Sequence, residues 1–187
     1  MSVDLAAFIT GLKEHAIEHG FHIHDERHYI ETYSLRQAWE VDLHPEDACG
    51  EPFGLQLALD VDPRILLDLQ EVLDDMDEFV EPEDVYRLPL LFNWSVPPLP
   101  NPPDLLVLAT DLAGIGGVAL PITVSATDSY RDVTDKPERE LTLVGAGEVS
   151  LVDVLMGREQ MCDTLDQCKA VSAYLLERLP TWLEEKV

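Results

Sequence analysis

The stretch from Phe53 to Phe79 constrains the fold most, because an alternating strand pattern runs directly into a capped helical pattern. Large apolar side chains occupy every second position and would share one face of a half-buried strand: Phe53, Leu55, Leu57, Leu59 and Val61. Asp62 can cap a helix with its carboxylate, and Pro63 suits the first helical position, where its missing N–H costs nothing. Apolar residues then recur at helical spacing: Ile65, Leu66, Leu69, Val72, Leu73, Met76 and Phe79. The stretch predicts a β-strand followed by a central helix over 63–79.

A second strand is predicted beside this unit. Residues 35–43 alternate with Leu35, Trp39 and Leu43 on one face, and a loop rich in Pro, Asp and Gly separates them from Phe53. Such a loop favours a hairpin, so strand 35–43 is expected to lie antiparallel to strand 53–61.

The N-terminal segment predicts a helix and a strand. Residues 3–19 carry an apolar stripe at helical spacing between Ser2, a candidate N-cap, and Gly20, a candidate left-handed stop. Residues 21–33 predict an extended segment, a turn at Asp25-Glu26 and a strand.

The second half of the chain predicts more strands and a terminal helix. Residues 86–94 alternate, and Pro89 favours an edge position because it cannot donate to a ladder. A proline-rich connector follows at 97–103. Two apolar runs, 105–112 and 118–125, predict buried strands around a glycine-rich turn, with a helix at 104–112 as the alternative.

After an exposed loop at 127–138, residues 140–144 predict a strand that the glycines at 145–147 end. Ser150 can cap a short helix over 151–156, and the last long helix is expected over 160–179, ending at Pro180. The fold class is therefore α+β: one domain over 1–187, with a mainly antiparallel sheet packed against the N-terminal, central and C-terminal helices.

The charge of the chain limits its partners. It has 37 acidic residues against 12 basic ones, a net charge of −25. Direct binding to nucleic acid or to an anionic membrane surface is disfavoured, because both need a basic footprint. The acidity fits solubility in an acidic proteome or a salty cell, and it also fits a surface for a basic partner, for metal ions or for mimicry of nucleic acid. The charge alone does not choose among these. The chain has no apolar run of roughly 20 residues and no basic leader, and its three cysteines suggest reduced thiols, so a soluble cytoplasmic protein is expected.

All six histidines fall within the first 44 residues. His22 and His24 can share one face of a strand, and His28 lies near the strand that carries Glu40. Imidazoles and a carboxylate from adjacent strands could bind a divalent transition metal, so His22, His24, His28 and Glu40 form a candidate metal site. The alternatives are surface histidines in an acidic neighbourhood, or a pH-sensing or catalytic role.

The element order and the acidity resemble those of small acidic secretion chaperones, which act as homodimeric protein-binding modules; the segment 97–117 departs from that order. The resemblance implies a non-enzymatic adaptor or chaperone-like module that binds another protein and forms a homodimer. Exposed aromatic faces near Tyr29, Tyr33 and Trp94 are the expected anchors. The alternative is a metal-dependent enzyme, such as a hydrolase, that uses the histidine cluster. We expect no cofactor for the module and assign no catalytic residue.

Overall fold

Six antiparallel strands form one sheet in the computed structural model, which describes residues 4–75, 81–130, 132, 137–158 and 161–184. The strands are β1 (Phe21–Ile30), β2 (Gln37–Pro45), β3 (Gly54–Val61), β4 (Arg87–Ser95), β5 (Ile122–Ser129) and β6 (Glu138–Ser150). The helices are α1 (Leu5–Glu18), α2 (Pro63–Asp75), α3 (Leu105–Gly116), α4 (Leu151–Met156) and α5 (Cys162–Leu183). The predicted α+β class, with its N-terminal and long C-terminal helices, is confirmed.

The strands lie in the order β1-β2-β3-β4-β6-β5. The predicted pairing of β2 with β3 is confirmed, with Trp39 opposite Leu59, Val41 opposite Leu57 and Leu43 opposite Leu55. Because side chains alternate between the two faces of a strand, this register places the large apolar residues of both strands on one face of the sheet.

That apolar face packs against the helices and carries the core. Its largest fully buried members include Leu57, Leu59, Leu88, Leu90 and Phe92, and they belong to one cluster with the apolar stripes of α1 and α5. The stripe of α5 is buried along its length: Leu165, Cys168, Val171, Leu175, Leu179 and Trp182. The amphipathic helices thus cover one side of the sheet, as their periodicity requires.

The start of the central helix is as predicted, and Ile65, Leu66 and Leu73 of this helix pack partly buried against the core. Asp62 Oδ1 accepts a hydrogen bond of 2.9 Å from the backbone N–H of Arg64, and the helix begins at Pro63. Leu69 is the buried residue of α2 between Pro63 and Asp75. The predicted continuation to Phe79 lies outside the described residues. β3 therefore lies within the sheet between β2 and β4, and α2 contributes Leu69 to the core.

The expected turn at Asp25-Glu26 is wrong. β1 is one strand from Phe21 to Ile30, with a register shift between Ile23 and Asp25 where it pairs with β2. A bulge of this kind takes up one extra residue without ending the strand. The polar residues that suggested a turn lie along an edge strand.

The expected edge position of β4 is also wrong, because β4 lies between β3 and β6. Its pairing with β3 ends at Leu59 opposite Leu90, so Pro89 has a register partner only in β6, where it lies opposite Glu148. The proline is tolerated because the β3–β4 ladder ends one residue before it, so no bond from its missing N–H to β3 is needed.

The run 105–112 is a helix, which was the alternative interpretation. Asp104 Oδ1 caps it by accepting from the N–H groups of Leu106 (2.9 Å) and Val107 (3.0 Å). Leu108, Leu112 and Gly116 are buried at a spacing of four residues. The solvent-facing positions Leu106 and Val107 are apolar as well, and this hides the helical period in the sequence.

Two strands of the second half differ from their expected bounds: β5 is as long as the predicted strand 118–125 but shifted along the chain, and β6 is longer than the predicted strand 140–144. β5 begins at Ile122 and extends to Ser129, and β6 continues through the glycines to Ser150. A Cβ atom at Gly145 would lie 2.9 Å from Leu120 Cδ1 and 3.0 Å from Trp94 Cζ3. The glycine allows these side chains to pack against the strand rather than ending it.

Pro180 does not end the last helix, which runs to Leu183. A proline in the final turn leaves most of the hydrogen-bond ladder intact. Asn101, in the proline-rich connector, donates its backbone N–H to Trp182 O (3.0 Å) and its side-chain N–H to Thr181 O (3.2 Å). These bonds satisfy carbonyls that the end of a helix leaves free. The predicted short helix is confirmed, with Ser150 Oγ accepting from the Asp153 N–H.

Candidate functional site

The second face of the sheet is not covered by any described helix. We call it the open face and define it by Arg27, Glu40, Asp42, Gln56, Ala58, Leu91, Asn93, Val144 and Ala146, which are half-buried or exposed. Leu91, at its centre, is 38% exposed, whereas the next residue, Phe92, is fully buried on the helix side. An uncovered sheet face of this size is a surface on which another chain could pack.

Residues of the open face line up in rows across the strands. In one row Arg27 lies opposite Glu40, Glu40 opposite Ala58, Ala58 opposite Leu91, and Leu91 opposite Ala146. The row begins with an ion pair and continues with small or aliphatic side chains. The next row is more polar, since it runs from Asp42 through Gln56 and Asn93 and reaches an aliphatic side chain only at Val144.

Arg27 organises the charged half of the open face. Its Nη2 donates to Asp42 Oδ1 at 2.8 Å, its Nε lies 3.3 Å from Glu40 Oε2, and the Asp25 carboxylate lies 3.9 Å away. Gln56 Nε2 approaches Glu40 and Asp42 at 3.5 and 3.4 Å. Three carboxylates surround one guanidinium, so this half of the face keeps excess negative charge.

A shallow cavity of about 530 Å³ opens beside this network at the Pro45 end of β2. Its lining includes His24, His44, Asp42, Gln56 and Asn93. The rings of His24 and His44 lie 4.9 Å apart between centroids. Carboxylate, amide and imidazole groups together can accept and donate hydrogen bonds to a polar segment laid across the strands.

The four residues of the predicted metal site make contacts with other residues. His22 Nδ1 lies 3.8 Å from Cys49 Sγ and its Nε2 lies 3.7 Å from Glu46. His28 stacks on Trp39, with ring centroids 3.9 Å apart. Within the described part of the chain, no three His, Cys, Asp or Glu residues come together as a metal site. The metal site stays a prediction, and the contacts of His22, His24, His28 and Glu40 give it no added support.

The cysteines divide by exposure. Cys49 and Cys162 are exposed free thiols, and Cys168 is a buried one in α5. Burial raises the pKa of the Cys168 thiol well above its ordinary value, because a thiolate is poorly solvated in the core.

Two of the three expected aromatic anchors are exposed. Tyr29 is 49% exposed and Tyr33 is 98% exposed at the turn after β1. Trp94 is not an exposed anchor, since it is 3% exposed and points into the core. The alternating pattern of β4 places it on the same face as Phe92 and Leu90.

The acidic segment after α2 is partly neutralised by arginines among the described residues. The carboxylate of Glu81 accepts from Arg158, and this contact lowers the pKa of Glu81. Asp84 accepts hydrogen bonds from Arg87 and from Ser150. This region forms local ion pairs at the end of β6 and lies apart from the rows of Arg27 and Leu91.

Sequence reasoning drew attention to histidines and missed Arg27, Gln56 and Leu91. The signal was present as the outward positions of the alternating strands, where Ala58 and Leu91 stand among polar residues. An aliphatic residue at an outward position is informative only once the sheet is known to lack a cover on that side.

Within the described residues, no helix is long and apolar enough to span a bilayer. The chain matches no known protein family, no curated protein and no solved structure.

Proposed function

We propose that this chain is a non-enzymatic, adaptor or chaperone-like module that binds another protein on its open face. One observation carries the proposal: a six-stranded sheet packs its helices on one side and leaves the other side uncovered. The small side chains of Ala58 and Ala146 flank Leu91 and allow a partner's backbone to approach the strands closely. Aliphatic side chains gain free energy when a partner removes them from water.

A basic segment of the partner fits the charged half of this face. Asp25, Glu40 and Asp42 share the single guanidinium of Arg27, and the chain as a whole carries a net charge of −25. Complementary charge raises the association rate and disfavours acidic partners. The proposal places the protein in the cytoplasm, which the three free thiols support.

Site-specific photo-crosslinking in the source cells tests the proposal. A photoreactive phenylalanine analogue replaces Leu91 on the open face in one variant and Leu106, an exposed leucine of α3, in a control variant. We expect a discrete crosslinked protein from position 91 and none of that mass from position 106. Equal crosslinking from both positions, or none from position 91, would contradict the proposal.

Neutralisation of charge tests the basic character of the captured protein. Glu40→Gln with Asp42→Asn removes two charges from the open face, and Glu14→Gln with Glu177→Gln removes two exposed charges from α1 and α5. The first pair is expected to weaken binding and to flatten its dependence on salt, while the second pair leaves both unchanged. The same effect from both pairs would show that net charge alone drives the binding.

A further inference from the structure

The turn between β1 and β2 concentrates exposed apolar side chains. We call residues Tyr29–Arg36 the hairpin tip. Within it Tyr29 is 49% exposed, Ile30 60%, Tyr33 98% and Leu35 62%. Single exposed apolar residues are ordinary on a protein surface, but four in the turn and the strand end that leads into it form a candidate contact surface for another molecule.

The backbone of the hairpin tip holds these side chains in place. Leu35 has a φ of 58°, a left-handed conformation that is rare for a branched aliphatic residue. Hydrogen bonds of 2.9 Å fix it: the Leu35 N–H donates to Glu31 O, and the Glu31 N–H donates to Arg36 O. The Ser34 hydroxyl accepts from the Arg36 N–H at 3.2 Å. Strained residues persist where neighbouring bonds over-determine them, so the tip is a built turn that presents Leu35 outward.

The hairpin tip carries a small excess of negative charge beside Arg36. Arg36 Nε donates to Asp60 Oδ1 at 2.7 Å, and this bond raises the pKa of Arg36, with smaller contributions from Asp62 and Glu31. Three carboxylates therefore act on one guanidinium. Arg64 is also nearby, since its backbone N–H bonds to Asp62. Counting its guanidinium as well, three carboxylates stand against two guanidinium groups.

This charge selects among the surfaces that could cover the tip. An anionic membrane and a second copy of this chain, with its net charge of −25, would both be repelled. A pocket with apolar walls and basic residues at its rim would bind the tip favourably, because the walls would bury its apolar side chains and the rim would attract its carboxylates. The tip is also continuous with the open face, since Tyr29 lies opposite Ala38 in the β1–β2 ladder.

We propose that the hairpin tip is an anchor that inserts Tyr33 and Leu35 into an apolar, basic-rimmed pocket of the protein bound on the open face. The inference rests on the proposed function and names the chemistry of the partner. Tyrosine suits such an anchor because it brings a large rigid contact area with two side-chain torsions to fix.

The test again uses photo-crosslinking, with the photoreactive analogue at Tyr33 and, as a control, at Val118, which is 99% exposed elsewhere on the surface. The protein captured at position 33 is expected to be the one captured at Leu91, and the crosslinked peptide is expected to combine apolar with Lys or Arg residues. The captured protein is then purified and titrated with the full chain.

Two variants measure the anchor without disturbing the turn. Tyr33→Ser removes the aromatic ring, and Leu35→Asn removes the aliphatic side chain while it favours the left-handed backbone. We expect the double variant to bind the captured protein at least about tenfold more weakly, as hot-spot truncations do. Val118→Asn is expected to bind as the parent chain does.

The possible outcomes distinguish failure of the anchor from failure of the proposed function. A crosslink at Leu91 without one at Tyr33, or equal affinity of the double variant and the parent chain, overturns the anchor and leaves the proposed function intact. Absence of crosslinks at both positions overturns the proposed function and the anchor together. Capture of a second copy at Tyr33, or binding to phosphatidylcholine vesicles that Tyr33→Ser abolishes, overturns the assignment of a basic-rimmed protein pocket.

Discussion

The indole N–H of Trp94 donates a hydrogen bond of 2.9 Å to the hydroxyl oxygen of Ser172, and both side chains are buried between β4 and α5. The Ser172 hydroxyl in turn donates to Cys168 O at 2.8 Å. The indole needs this partner, because a buried N–H without one costs free energy. The bond fixes the long C-terminal helix over the centre of the sheet.

Ser172→Ala is expected to lower the free energy of unfolding by about 1–3 kcal/mol, since it leaves the indole N–H of Trp94 without an acceptor. Urea denaturation followed by tryptophan fluorescence measures the loss. Ser129→Ala, at the exposed end of β5, is the control and should stay within about 0.5 kcal/mol of the parent chain. Equal effects of the two substitutions would show that the buried bond contributes nothing.

Adjacent residues of β4 test which face of the sheet carries the core. Phe92→Ala opens a cavity on the helix-covered side and is expected to cost about 3–5 kcal/mol. Leu91→Ala, on the open face, is expected to cost less than about 1 kcal/mol, because Leu91 is already 38% exposed. The same urea titration measures both variants. A larger loss for Leu91→Ala than for Phe92→Ala would contradict the assignment of the two faces.

The alternation of apolar and polar residues was enough to predict the strands β2, β3 and β4. Trp94 was nevertheless expected to be exposed, although the same alternation places it on the buried face of β4. The alternation could not place β4 within the sheet, because the tolerance of Pro89 depends on where the pairing of β3 with β4 ends. The glycine at position 145 suggested that β6 ends there. Its actual role is to let Trp94 and Leu120 approach the strand closely, and the local sequence does not show this tertiary contact. The helix at Leu105 was ambiguous because its exposed positions are apolar too.

The candidate site was less predictable than the fold. Histidines are prominent in a sequence because few residues share their chemistry, and all six lie within the first 44 residues of the chain. Their contacts depend on the bulge in β1 and on which strand end each one occupies. The open face exists because all the described helices that cover the sheet pack on its other side. This arrangement depends on how strands and helices pack together, and no single sequence motif encodes it.

The cysteines should react in two classes. Cys49 and Cys162 are exposed and are expected to react promptly with a thiol reagent in the folded protein, whereas Cys168 is buried and has a raised pKa. Timed alkylation followed by peptide mass spectrometry separates the three sites. Cys168 is expected to become reactive only in denaturant. Its alkylation at the rate of Cys162 in the native protein would contradict the packing of α5.

Asp128 and Arg139 lie opposite each other on β5 and β6, with Oδ1–Nε and Oδ2–Nη2 distances of 2.7 and 2.8 Å. The hydrogen bond from Arg139 lowers the pKa of Asp128 in the folded protein. The stabilisation is therefore present above the pKa that Asp128 has in the unfolded chain, and it is lost as pH falls through the lower folded pKa.

Arg139→Gln is expected to raise the pKa of Asp128 toward its ordinary value, as carboxyl-carbon NMR titration would record. Arg87→Gln, which removes an arginine from another strand, serves as the control and should leave the titration of Asp128 unchanged. An unchanged Asp128 titration in Arg139→Gln would contradict the cross-strand pair.

The affinity for the protein captured through position 91 tests the central claim most directly. Leu91→Arg places a long charged side chain at the centre of the open face, while Leu106→Arg makes the same change on α3. Isothermal titration with the captured protein is expected to give a Kd at least about tenfold higher for Leu91→Arg, because a burial site for an aliphatic side chain is lost. Leu106→Arg is expected to bind as the parent chain does. An unchanged Kd for Leu91→Arg, with both variants folded, would contradict the open face as the binding surface.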